Sequence, residues 1–225
     1  MTTHLSKAVI FRTQALLVVA ASLLLVAGGC NSRAKSADAG EKTAASRGPS
    51  QTIEVNCIGD RLENPPEAFH YSYKTTGSQN DVDKEADVAP QVMDITIRDN
   101  SGSHNYHGER SKESSWNAAV LDLSGSGLTT MIARLGFVKD TSALSRAGEQ
   151  QTNGYSTTKY SIDTAGASAS DTKRFATLFG SGSSDKGLMW VNAEGCPVKL
   201  ILDEATQQPD GSVTKIHYEL NFVKK

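Results

Sequence analysis

The chain has 225 residues, of which 38% are hydrophobic and 21% charged, and it carries 23 basic against 25 acidic side chains for a formal charge of −2. A mildly acidic sequence with scattered charges argues against nucleic-acid binding, because neutralising phosphates takes clustered Lys and Arg. The length fits one domain beyond the terminal segments and is enough to bury a substantial core.

In chain order, Lys7 and Arg12 give a positive start, with no acidic residue before Cys30. Ala15 to Ala27 is then apolar apart from Ser22. That run is shorter than the roughly 20 apolar residues needed to span a hydrocarbon core, and it suits the central region of a secretory signal. Ala27, Gly28 and Gly29 are small enough to let a peptidase reach the backbone, and Cys30 follows them. This arrangement resembles a bacterial lipobox, although Ala27 stands where Leu is more usual; Leu25 and Val26 partly meet the pattern. The resemblance implies a diacylglyceryl group on Cys30, cleavage before it, and residues 1–29 as signal peptide. An uncleaved anchor or ordinary cleavage near Gly28 are the competing readings. Acyl chains contribute about 0.8 kcal/mol per buried methylene, so two or three anchor a protein stably. Without residues 1–29 the chain keeps 21 basic against 25 acidic residues, a formal charge of −4. Asn31 after the acylated residue leans towards the periplasmic face of an outer membrane.

Asn31 to Ser50 is mostly Ala, Ser, Lys and Gly. Such a segment cannot offset its own ordering entropy, so residues 30–51 read as a lipidated Cys and flexible tether with a reach of about 25 Å. Residues 52–225 form the expected β-rich domain. In an exported protein the two remaining thiols, Cys57 and Cys196, are expected to pair; a bond closing so long a loop contributes up to about 5 kcal/mol. Two buried free thiols or a metal pair are the alternatives.

Phe69, Tyr71 and Tyr73 alternate with polar residues and predict a half-buried strand, while Pro65-Pro66 forbids helix or central strand just before it. Gly77 to Val88, with Asp81, Asp83, Glu85 and Asp87, reads as an exposed loop. Met93, Ile95 and Ile97 predict a second alternating strand, and Asp99-Asn100-Ser101-Gly102 turns it back into His104 to Arg110. Leu128, Met131, Ile132 and Leu135 share one helical face, predicting a helix capped by Ser126 and ended by Gly136. Trp116 to Leu123 is compatible with either helix or strand. Ser170 to Phe179 predicts a second short helix. Asn153-Gly154 marks a hairpin through a type I′ turn. Further strands bend at Glu194-Gly195 and at Pro209-Asp210-Gly211, and the last carries Ile216, Tyr218, Leu220 and Phe222 on one face. The expected fold is α+β: about eight mainly antiparallel strands in a curved sheet covering one or two helices.

The run Glu149-Gln150-Gln151-Thr152-Asn153-Gly154-Tyr155-Ser156-Thr157-Thr158-Lys159-Tyr160-Ser161-Ile162-Asp163, then Met189-Trp190-Val191 and Gly195-Cys196-Pro197-Val198-Lys199, is similar to a pattern of LolA/LolB-type and LppX-type lipoproteins. The resemblance implies a curved antiparallel sheet wrapped around helices, with an apolar cavity between them that holds acyl chains.

No catalytic chemistry stands out. There is no G-x-S-x-G, and Gly125-Ser126-Gly127 and Gly180-Ser181-Gly182 have the wrong spacing for a nucleophile. His104 and His107 sit three apart, so on a strand they point to opposite faces; His70 and His217 lie opposite the aromatic stripes. The acidic stretch lacks the Gly and terminal Glu of a calcium loop. The expectation is therefore a non-enzymatic envelope lipoprotein without metal or cofactor, held to its membrane through Cys30. It binds or carries a lipid or another apolar ligand, with Met93, Ile95, Ile97, Met131, Ile132, Leu135, Trp116 and Trp190 as lining. The alternative is a structural or assembly lipoprotein with a fully packed core that acts through protein contacts.

Overall fold

The computed structural model describes residues 51–77 and 81–225. Cys30, the signal segment and the tether up to residue 50 lie outside the described residues. Nine strands form one antiparallel sheet: β1 (Phe69–Thr76), β2 (Val82–Val88), β3 (Val92–Asp99), β4 (Gly102–Glu109), β5 (Leu144–Thr152), β6 (Tyr155–Asp163), β7 (Ser183–Asn192), β8 (Pro197–Gln207) and β9 (Val213–Lys224). Their spatial order is β4-β3-β2-β1-β9-β8-β7-β6-β5. Among the described residues there are three helices, α1 (Cys57–Glu63), α2 (Glu113–Val138) and α3 (Ala169–Phe179).

The two meanders, β1–β4 and β5–β9, are joined where β1 pairs with β9, from Phe69 opposite Lys224 to Thr76 opposite His217. This leaves β4 and β5 on opposite edges, so the segment between them must cross the whole sheet. Nine strands at about 4.8 Å spacing make a sheet about 38 Å wide. The 26 residues of α2 give a helix about 39 Å long. Its contacts follow the strand order. Gly108 of β4 lets Ala119 approach so closely that an added Cβ would lie 2.8 Å from it. Lys84 of β2 donates to the carbonyl oxygens of Asp122 and Leu123. Gly127 sits against the Tyr73 hydroxyl of β1, and Arg134 reaches Glu204 of β8 and Asp185 of β7.

The inward stripes of alternating strands make the core. Phe69, Tyr71 and Tyr73 of β1, Met93 and Ile95 of β3, and Tyr218, Leu220 and Phe222 of β9 are all buried with Leu123, Leu128, Met131 and Leu135 of α2. Asn153 and Gly154 both have positive φ, 57° and 85°, as the type I′ turn between β5 and β6 requires.

Three expectations change. The acidic stretch after Gly77 is not all loop: Val82–Val88 is β2, with Lys84, Ala86 and Val88 buried. Its carboxylates face outwards and find partners there, Asp83 and Glu85 in Arg98 at 3.7 and 3.2 Å and Asp87 in His70 at 2.9 Å and Lys225 at 2.7 Å. The helix expected from Ser126 begins instead at Glu113 and takes in Trp116 to Leu123. It also runs past Gly136 to Val138, because Gly136 finds ordinary helical space there rather than a turn. Finally, α1 was not anticipated; it buries Ile58, Arg61 and Leu62.

Cys57, which opens α1, is bonded to Cys196 in the turn before β8, with Cα atoms 5.8 Å apart. The bond is seconded by Glu54 N–H donating to the carbonyl of Gly195 at 2.9 Å. Cross-linking so distant positions removes freedom mainly from the unfolded chain. Denaturant titration of the oxidised chain against the Cys57→Ser/Cys196→Ser double variant should show a loss of about 2–5 kcal/mol; equal midpoints would show that the bond contributes nothing. On the outer face, Asp203 at 2.6 Å and Glu219 at 3.0 Å flank His217, and their hydrogen bonds raise its imidazole above the ordinary value. The folded value is the higher one, so this contribution is complete below about pH 6.5 and is lost as pH rises through the folded value. His217→Gln should flatten that part of the stability–pH curve, and an unchanged slope would exclude the role.

Candidate functional site

The helix α2 is broken in its middle. Gly125 has φ 48° and ψ 171°, a combination open essentially only to glycine. The last carbonyls of the first segment, Asp122 and Leu123, are taken by the Lys84 ammonium, which suits the negative end of a helix. Burial lowers the pKa of Lys84, and the Asp122 charge works against that shift. Beyond the break the helix resumes close to the sheet, because Gly127 has no side chain to strike Tyr73; an added Cβ would lie 2.7 Å from the hydroxyl.

Between the first helical segment and the inner face of β1–β4 and β9 the break leaves a cleft of about 670 Å³. Its walls are Val82, Ile97, Tyr106, Leu121 and Ile216, and the Tyr73 and Tyr218 rings face it from the sheet. Leu121 is 70% and Tyr106 41% exposed, so large apolar side chains stand at the mouth with no protein covering them. Polar side chains share the lining: Lys84, Asp122, Asp99, His104 and Thr75. Asp99 is tied to the Ser101 hydroxyl at 2.6 Å, and this bond first, with the Ser101 N–H and His104 after it, holds its carboxyl below the usual range.

Tyr218 leads from the cleft to a buried charge cluster. Its hydroxyl donates to Glu204 at 2.9 Å, Arg134 donates to Glu204 at 2.5 Å, and Arg134 also donates to Asp185 at 2.7 Å. The Arg134 and Asp185 side chains are 5% and 0% exposed. Removing one partner from such a cluster strands a buried charge, at a typical cost of about 3–5 kcal/mol.

Of the eight side chains expected to line a cavity, Ile97 faces the cleft. Met93, Ile95, Met131 and Leu135 are packed core, and Ile132 packs half-buried against it. Facing stripes from helix and sheet meet there in one apolar cluster. Trp116 donates its indole N–H to the Glu63 carbonyl at 3.1 Å beneath the Arg110 guanidinium. Trp190 lies on the opposite face from Met189, because successive residues of a strand point to opposite faces, and it sits between its cross-strand partners Lys159 and Lys199 at 5.3 and 5.1 Å. His104 and His107 do point to opposite faces: His104 lines the cleft and His107 pairs with Asp94 at 2.7 Å. No group of three or more metal-ligating side chains occurs among the described residues, and none of the described helices is long and apolar enough to cross a membrane.

No protein-family model matches the chain, and no curated protein matches it. Among solved structures it is similar to the Mycobacterium tuberculosis lipoprotein LppX, at 16% identity over 75% of this chain and 89% of that one, with a TM-score of 0.31. It is also similar to MucB in complex with MucA(peri), at 10% identity over 76% of this chain and 53% of that one, TM-score 0.28, and to MucB in the Pseudomonas aeruginosa MucA/MucB complex, at 10% over 76% and 54%, TM-score 0.29. The chain thus spans about half the length of the MucB chains. At these identities and scores the likeness extends to no ligand, partner or activity.

Two glycines of α2 give a contrast. Gly125→Ala should cost about 1–3 kcal/mol, since alanine cannot hold that conformation without strain. Gly136→Ala, where the added carbon meets only Val55 at 3.8 Å, should stabilise by up to about 1 kcal/mol through helix propensity. Thermal unfolding of both variants tests the break; equal responses would mean the helix does not need it.

Proposed function

We propose that this chain is an exported lipoprotein, anchored through acyl chains on Cys30, whose β-rich domain holds one apolar or amphipathic molecule in the cleft beside the broken helix. The observation that carries this reading is the cleft itself. It falls within the roughly 300–1,000 Å³ typical of ligand sites, and its walls combine apolar side chains with polar ones, which suits an amphipathic molecule. Leu121 and Tyr106 both line it and are both exposed, which offers apolar surface for a ligand to cover. Binding needs no bond-making step: covering apolar surface contributes about 25 cal/mol per Å², less the costs of association. The succession of basic start, apolar run, small residues and cysteine between Lys7 and Cys30 supports export and lipidation, and with them the envelope as location.

The competing reading, an assembly lipoprotein acting through protein contacts, draws on the dense packing of Met93, Ile95, Met131 and Leu135. A carrier with its ligand in the core would need those positions open. The cleft reading does not, because its ligand sits at one end of the sheet.

Native mass spectrometry of the full chain, expressed in a bacterium and extracted in detergent, separates these possibilities. The expected species begins at Cys30, carries fatty-acyl mass, and holds one further apolar adduct. Leu121→Glu should weaken that adduct about tenfold or more, the equivalent of one buried leucine, and leave acylation unchanged. Acylated protein with no adduct would support the assembly reading, and a chain beginning elsewhere would remove the anchor.

A further inference from the structure

The geometry points to a proton-binding site at the buried Arg134–Asp185–Glu204 cluster, coupled through Tyr218 to the cleft; the coupling rests on the binding reading above, and the proton site does not. Asp185 of β7 and Glu204 of β8 are direct cross-strand partners on the inner face of the sheet. Two carboxylates so placed share one guanidinium, Nη1 of Arg134 to Asp185 and Nη2 to Glu204. The cluster is therefore one positive charge short when both acids are ionised.

The groups packed around it do not supply that charge. From α3, the rings of Phe175 and Phe179 lie 5.6 and 4.8 Å from the guanidinium. From β9 comes the neutral Tyr218 hydroxyl, and from β8 the Thr206 hydroxyl donates to Glu204 at 3.3 Å. After β6, Thr164 accepts from the backbone N–H of Asp185 at 2.7 Å. Among the described residues no Lys or His side chain is found bonded to either carboxylate. Asp185 Oδ2 and Arg134 Nε are both buried without a hydrogen-bond partner. Two like charges facing each other out of water are costly, and the remedy is for one to take up a proton. Burial pushes the Asp185 carboxyl up to about 7, with Glu204 adding to the rise and Arg134 opposing it.

The sign of the coupling follows from desolvation. Tyr218 both lines the cleft and bonds Glu204. An apolar ligand over Tyr218 excludes water further from the cluster, which favours its protonated, electrically balanced form. By linkage, the protonated form then binds that ligand more tightly. Each unit by which the ligand raises the carboxyl pKa appears as about a tenfold difference in affinity across the titration.

The test uses the full chain in detergent with two readouts. Infrared difference spectra between pH 6 and pH 8, without ligand, should show one buried protonated carboxyl lost on going to pH 8 in the native chain and absent from Asp185→Asn. No such band, or the same band in Asp185→Asn, overturns the proton site. Monooleoylglycerol, an uncharged amphiphile that does not titrate in this range, is then added and its adduct followed by native mass spectrometry at both pH values. Binding should be about three- to tenfold tighter at pH 6 in the native chain and equal at the two pH values in Asp185→Asn. Tyr218→Phe, which cuts the link and keeps both acids, should retain the infrared band and lose the pH dependence of binding, so the proposal stays testable if Asp185→Asn does not fold. Equal affinity at both pH values in the native chain overturns the coupling. No adduct at either pH, with the infrared titration intact, overturns the cleft reading instead.

Discussion

A single topological constraint organises this molecule. With β1 paired to β9, the strands that flank α2 in sequence stand at the two far edges of the sheet. One helix must bridge them, and it is just long enough to do so. Every notable feature of the interior lies along that path: close approach at Gly108, the Lys84 contact, the break at Gly125, the passage over Tyr73 at Gly127, and the Arg134 anchor on β7 and β8. The cleft is a consequence of this crossing. Where the helix is interrupted, Leu121 and Asp122 border an open space over the sheet, while Ala119 and Leu123 of the same segment stay packed.

Two buried charges hold the crossing, one at its break and one further along its second segment. Lys84 holds the end of the first helical segment, and Arg134 fixes the second segment to the strands beneath. Neither interaction is strongly stabilising in its own right, since burying ions costs several kcal/mol before pairing returns it. Their value lies in position: an apolar helix surface slides over an apolar sheet, and a guanidinium bonded to two carboxylates does not.

Much of the sheet was legible from alternation alone, because strands such as β1, β3 and β9 put large residues on one face and polar ones on the other. The turns at Asn153-Gly154 and Asp99 to Gly102 were equally readable from their own chemistry. β2 was hidden because its inward set includes Lys84 and Ala86, so acidic outward residues dominated its composition. The helix was read only from Ser126 onwards because Gly125 and Gly127 resemble loop punctuation. The buried cluster left a signal that went unused: Arg134 shares the stripe of Met131 and Leu135, Asp185 has the parity of Met189, and Glu204 that of Leu200 and Leu202. Three charged residues at apolar parity on three elements are a mark of mutual pairing. Which apolar stripes pack together and which leave a gap is set by the helix break, and alternation does not carry that information.

The account is tested most directly by a crystal structure of the full chain purified from its own membrane, read at the break in α2. It predicts a helix interrupted at Gly125 and continuous electron density for an apolar molecule running between Leu121, Val82 and Ile216. An unbroken helix, with Leu121 packed down on the sheet and no space beneath it, would contradict it.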